Sequence, residues 1–197
     1  MSGIRDRLAR HATLPATAVL IAASAWLWHH LPVPTQVYAP FDVHGALGAE
    51  VRGKEMAVTV TGVRVAPKGK FATGPYSSRT MSATGVWLVV DATLSAIESS
   101  TNPAAELRVG QNTYMPSMRP APGYGVRVDP GLPQHGHWVF DVAPELLAPK
   151  VSSPLQLLVH VGGEDRLSSQ VVIDLDTRPL ERSDKVTVQP YEIGPAQ

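Results

Sequence analysis

The sequence predicts an all-β domain, a two-sheet sandwich of about seven to nine strands, preceded by one N-terminal transmembrane helix. Three observations predict it. Residues 13–31, TLPATAVLIAASAWLWHHL, form a long uncharged apolar run. From residue 41 onward the texture changes to short alternating runs punctuated by Gly and Pro, without 3.6-residue periodicity of useful length. Two connections, after Val65 and after Tyr114, are too long for a plain meander, which favours a sandwich over an up-and-down barrel.

The run at 13–31 would reach about 28 Å as a helix against a hydrocarbon core of roughly 30 Å. Leu20, Ile21 and Leu27 supply its apolar surface, and Trp26 and Trp28 suit a membrane interface beside His29 and His30. Arg5, Arg7 and Arg10 precede it, and the next cationic side chain is Arg52. Positive-inside counting therefore expects residues 1–12 in the cytosol and the rest outside the cell membrane. Pro15 is expected in the first helical turn and Pro32 and Pro34 just beyond the helix end. A cleaved signal peptide is the rival reading, because Ala23-Ser24-Ala25 fits a small-x-small site. Cleavage there would leave Trp26 and Trp28 exposed at a new terminus, so the uncleaved anchor is preferred.

Residues 32–40, PVPTQVYAP, read as an extended Pro-rich linker. Residues 41–176 read as the exported sandwich and 177–197 as a tail retaining one alternating piece at 185–189. Within the sandwich, 56–65 changes phase: Met56, Val58 and Val60 share one face, Val63 and Val65 the other parity, which places a bulge at Gly62. Residues 66–85 read as a mobile loop. Residues 85–97 are apolar on both faces at their start and should be central: Val86, Leu88, Val90, Ala92 and Leu94 oppose Trp87 and Val89. A hairpin follows over 107–114, then a short strand at 126–128. Trp138, Phe140 and Val142 share a face of the next strand, and a hairpin joins 155–161 to 167–175.

Composition excludes several functions. From Leu31 onward there are 14 Lys plus Arg against 16 Asp plus Glu. That net of −2 provides no overall basic field for nucleic acid, so no nucleic-acid partner is expected. Cysteine is absent, which removes disulfides, thiolate catalysis and thiolate zinc together. No Gly-x-Ser-x-Gly, phosphate loop or closed ligand set occurs. The chain is read as a non-enzyme without a cofactor. His135 and His137 stand on one side of an extended segment, with His160 a conceivable third ligand, but two solvated histidines explain the spacing as well as a metal does. Asp174 and Asp176 lack the oxygen cluster that calcium requires. The Arg-rich, Ala-, Val- and Pro-rich composition suggests a bacterial source.

Four stretches together carry a resemblance: 56–65, 86–94, 107–114, and above all VDPGLPQHGHWVFDVAP at 128–144. They resemble the telokin-like, immunoglobulin-like exported domains of Gram-positive bacteria, including small secreted immunogenic antigens of mycobacteria. The resemblance covers about 51–175 and implies an immunoglobulin-like sandwich with no catalytic residues to transfer. The long 66–85 segment and the Ser95-to-Asn102 stretch depart from the family pattern.

The most informative surface is Tyr114, Met115, Met118 and Tyr124 among prolines, since adaptable methionines and rigid tyrosines suit a partner-binding surface. The expected function is a single-pass anchored accessory protein whose domain binds another cell-envelope or integral membrane protein. The alternatives are a module for cell-wall glycan or lipid, and a domain secreted after signal cleavage.

Overall fold

The computed structural model describes residues 3–31, 39–74, 76–120, 123–125, 127–148, 154–162, 168–175 and 180–194, with side chains omitted for 3–14, 73 and 74. The chain forms two compact units, Met1–Tyr38 and Ala39–Gln197. Most of the expected linker, residues 32–38, lies outside the described residues.

The first unit is helix α1, Gly3–His30, of 28 residues. It starts ten residues before the apolar run, so Pro15 sits inside it rather than in its first turn. Every described side chain from Pro15 to Leu31 is exposed. His30 Nδ1 lies 2.8 Å from the Trp26 carbonyl oxygen and its ring stacks on Trp26 at 4.4 Å. Among the described residues no helix is long and apolar enough to cross a membrane. Helix α1 opens with Arg5, Asp6, Arg7 and Arg10 and closes on His29 and His30, so charged or polar residues take up both of its ends. The transmembrane element expected over 13–31 is therefore not found among the described residues.

The second unit is a sandwich of two sheets. One runs β1 (Phe41–Ala46), β9 (Ser169–Asp174), β8 (Leu155–Val161), β5 (Pro103–Val109), β6 (Asn112–Tyr114). The other runs β10 (Glu181–Arg182), β3 (Met56–Gly74), β4 (Ser77–Ala96), β7 (Gln134–Val142), β12 (Glu192–Ile193), with β2 (Glu50–Arg52) and β11 (Lys185–Val188) also on β3. Twelve strands are described where seven to nine were expected. The excess comes from short pieces, above all β10, β11 and β12, which draw residues 181–182, 185–188 and 192–193 of the expected tail into the second sheet.

Alternation decides which side chains meet between the sheets. Val58, Val60, Leu88, Val90, Phe140 and Val142 from one sheet pack against Leu107, Leu157, Val159, Val171 and Ile173 from the other. The phase change in β3 is real: the register slips between Val60 and Gly62, so Thr61 is the extra residue and Gly62 pairs with Asp91. Val63 and Val65 thereby return to the same core as Val58 and Val60. Strand β4 pairs with β3 on one side and β7 on the other, the central place its two apolar faces predict.

The segment read as a loop, 66–85, is instead the far half of the β3–β4 hairpin. Between the pairs Ala66↔Trp87 and Lys68↔Ser82 the register shifts, and beyond it the hairpin continues as an arm with β11 added on its other edge. Apolar side chains hold it. Phe71, Val186 and Val188 form a second core with Trp87, Val89 and Val139 on the outer face of the sheet. Phe71 meets Trp87 edge-on at 5.6 Å, and Trp87 Nε1–H donates to the Met81 carbonyl at 3.2 Å. With Gly and Lys between its few apolar residues, the arm has a weak strand signal of its own; it is ordered by the tryptophan it covers.

Candidate apolar groove at the β7 edge

After β6 the chain turns along the outer edge of β7, where two backbone bonds hold it. Ser117 N–H donates to the Val139 carbonyl at 2.7 Å, and His137 N–H donates to the Gly123 carbonyl at 3.2 Å. Gly125 N–H donates to Gln134 Oε1, whose amide in turn donates to the Arg127 carbonyl. This close passage requires two glycines. A Cβ on Gly123 would collide with the His137 carbonyl, and one on Gly136 with the Gly123 carbonyl and the Tyr124 ring.

Between this segment and the sandwich lies a groove of about 390 Å³. Trp138 and Tyr124 line it from within, Ala104 and Ala105 of β5 from the opposite sheet, and Met115 and Met118 from the overlying segment. Tyr124 is buried rather than presented on the surface. Its ring lies 4.6 Å from Trp138, and its hydroxyl donates to the Ala92 carbonyl at 2.6 Å. Burial, with the nearby Asp91 charge adding to it, raises its pKa well above the ordinary phenol value. Tyr114 is half-buried and packs against the main core. Met115 is 63% and Met118 97% exposed. Of the four residues singled out from sequence, Met115 and Met118 are exposed at the groove, Tyr124 is its floor, and Tyr114 packs on the core instead of lining the groove.

Among the described residues no Asp, Glu, Lys or Arg lines the groove. Its titratable lining residues are Tyr124 and His137, and burial pushes the His137 imidazole down to about 4, Asp91 opposing and Arg64 assisting. His137 is thus neutral at physiological pH. Arg64 and Asp91 form a bidentate pair at 2.8 and 2.7 Å, so their opposing effects on the histidine largely offset. A second pair, Arg119 to Asp141 at 3.3 Å, ties the groove segment to the sheet, and Arg119 lies 5.2 Å above the Trp87 ring. Burial alone would raise the pKa of Asp141, but N–H bonds from Thr84 and Gly85 and the Arg119 charge hold it below the usual carboxylate range.

His135 and His137 stand two residues apart on β7. His135 uses both ring nitrogens, one with Thr93 Oγ1 and one with the Gly194 carbonyl, each at 2.8 Å. His160 lies on β8, in the other sheet. Among the described residues no group of three potential ligands converges. Asp174 accepts from Gln156, and Asp176 lies outside the described residues. Sequence reasoning missed Trp138, His137 and the β5 residues of the groove, because they join it only through pairing of distant strands.

No family model matches the chain, and no curated protein matches it either. Among solved structures it is similar to an uncharacterized β-sandwich protein from Clostridium difficile 630, at 13% identity over 70% of this chain and 96% of that one, with a TM-score of 0.46. It is also similar to MPT63, a secreted protein from Mycobacterium tuberculosis, at 20% identity over 68% of this chain and 98% of that one, with a TM-score of 0.46. The β-sandwich assignment stands on the strand pairing of this chain itself.

Proposed function

We propose that the chain is a membrane-anchored accessory protein of a bacterial envelope, whose exported, immunoglobulin-like sandwich holds an apolar segment of another envelope protein in the β7-edge groove. The observation that carries this reading is the charge-free lining: Met115 and Met118 stand exposed over a hollow floored by Trp138 and Tyr124. Burying an ionised group there would cost several kcal/mol, so the occupant offers uncharged, apolar side chains. Methionines repack around such side chains at little cost, while the rings give a fixed floor.

Anchoring belongs to the same reading. Val19, Leu20, Ile21, Trp26, Leu27 and Trp28 are all more than half exposed, on the stretch 15–28 of the helix that carries no Asp, Glu, Lys or Arg. A helix apolar all round belongs in a protein interior or in lipid. With Thr13 and Leu14 included, whose side chains are not described, the run reaches about 28 Å.

The test is to place a photo-crosslinking residue at Met118 in the tagged full chain and to purify it in mild detergent after irradiation. A recurrent envelope protein is expected, lost in Met115→Glu. Crosslinks to lipid alone, or to nothing recurrent, would overturn the protein-partner reading. The lipid result would favour an acyl chain in the groove, a second reading that its lining of Ala104, Ala105, Trp138, Met115 and Met118 supports.

A further inference from the structure

The arm and β11 form a three-stranded platform with two unlike faces. Phe71, Val186 and Val188 turn inward onto Trp87. The opposite face carries Lys68, Lys70 and Ala72 of β3, Ser82, Thr80 and Ser78 directly across on β4, and Lys185 and Thr187 directly across on β11. All of these except Ala72 are exposed, and none of the eight paired positions is acidic. Among the described residues the three lysines make no ion pair.

Register sets the geometry of the charge. Lys68 and Lys185 are direct neighbours on adjacent strands, roughly 4.8 Å apart at the backbone, and Lys70 follows about 7 Å along the strand. Like charges placed directly opposite one another destabilise a sheet. Three ammonium groups in so small a triangle, with no carboxylate at the positions paired with them, are relieved by an external anion.

The platform also has a depression. A polar hollow of about 270 Å³ at the arm end is lined by Lys70, Ser78, Thr187, Gln189 and Tyr76, whose ring is fully exposed. Hydroxyls and an amide can each donate and accept, which matches a polyhydroxylated ligand. A free tyrosine ring beside them offers a flat face with a polar tip, suited to the C–H face of a sugar. The paired face has no large apolar side chain to insert into lipid and no arginine to clamp a phosphodiester chain.

We propose that this platform is a binding site for an anionic sugar, a saccharide unit bearing a carboxylate or phosphate, with Lys70, Lys68 and Lys185 supplying charge and Tyr76 the stacking face. It is independent of the β7-edge groove, with which it shares no residue.

The experiment is calorimetric titration of the full chain in nonionic detergent at low salt with trigalacturonic acid and glucose 6-phosphate. Neutral galactotriose, inorganic phosphate and phosphatidylglycerol vesicles are titrated alongside. At least one acidic sugar should bind about tenfold more tightly than galactotriose and inorganic phosphate, and weaken on raising salt. Lys70→Gln and Tyr76→Ala should each weaken it about fivefold or more with the melting temperature unchanged, since both side chains are exposed. Equal affinity for galactotriose, equal affinity for bare phosphate, or no acidic-sugar binding at millimolar concentration would overturn the proposal. So would vesicle binding that depends on the lysines but not on Tyr76 while the sugars fail.

Discussion

His137 gives the sandwich an acid sensitivity whose size follows from its surroundings. The imidazole sits buried on the outer face of β7, opposite Asp91 on β4, with Arg64 bound to that same carboxylate. Its pKa is pushed from 6.5 to about 4, burial being the largest cause. As pH falls, the unfolded chain takes up the proton first, so stability is full above about pH 6.5 and drains as pH approaches 4. Proton linkage gives a loss of about 2 kcal/mol by pH 5 and about 3 kcal/mol by pH 4. The measurement is urea unfolding of the full chain and of His137→Gln in nonionic detergent between pH 7 and 4, followed by the β-sheet circular dichroism signal. Whatever the variant's stability at pH 7, its loss between pH 6.5 and 4.5 should be smaller by about 2 kcal/mol. Glu55, Asp129 and Asp141, whose pKa values are lowered, act in a lower window common to both proteins. A second variant isolates the charge balance: Arg64→Met leaves Asp91 unopposed, so the histidine's pKa should climb back toward 6.5 and its acid loss shrink. Parallel stability curves for the parent chain and His137→Gln would refute the reasoning.

Two further substitutions probe the elements that position the two candidate sites. Trp87→Ala removes the fully buried ring on which Phe71 packs and should cost about 3–5 kcal/mol; amide exchange should then accelerate across the arm, and an unchanged arm would show that other contacts hold it. Gly136→Ala, which in an ordinary strand would stabilise by about 0.5–1 kcal/mol, should here destabilise by roughly 2 kcal/mol, because its Cβ collides with the Gly123 carbonyl and the Tyr124 ring. The near-ultraviolet signal of the Tyr124–Trp138 contact reports the displacement.

The parts of the fold legible in the sequence are those where local alternation and burial agree. Strand β4 alternates Val86, Leu88 and Val90 against Trp87 and Val89 because it is sandwiched by β3 and β7 and covered on both faces, and such a position leaves a two-faced apolar signature. The slip at Thr61 was legible for a related reason: the core demands inward valines on both sides of it, so the sequence shifts parity where the backbone gains a residue. The arm was not legible. Its Gly69, Lys68 and Lys70 have low strand propensity, and what orders it, the ring of Trp87, lies outside its own sequence window. The strands β10 and β12, two residues each, carry too few positions for any period to show.

The candidate sites divide along the same line. Met115 and Met118 were legible as groove residues because methionines among prolines need no partner strand to be noticed. Their floor was not, since Trp138 reaches them only after β7 pairs with β4 and Ser117 and Gly123 bond to its opposite edge. The basic platform was hidden more deeply, because summing charge over the chain after Leu31 gives −2 and discards position. Lys68 and Lys70 are two residues apart, but Lys185 is more than a hundred away and joins them only by parallel pairing of β11 with β3. A net charge limits the field felt at long range, beyond a Debye length of about 10 Å at 0.1 M salt. Within that length register decides, and three lysines on one face attract an anion whatever the rest of the domain carries.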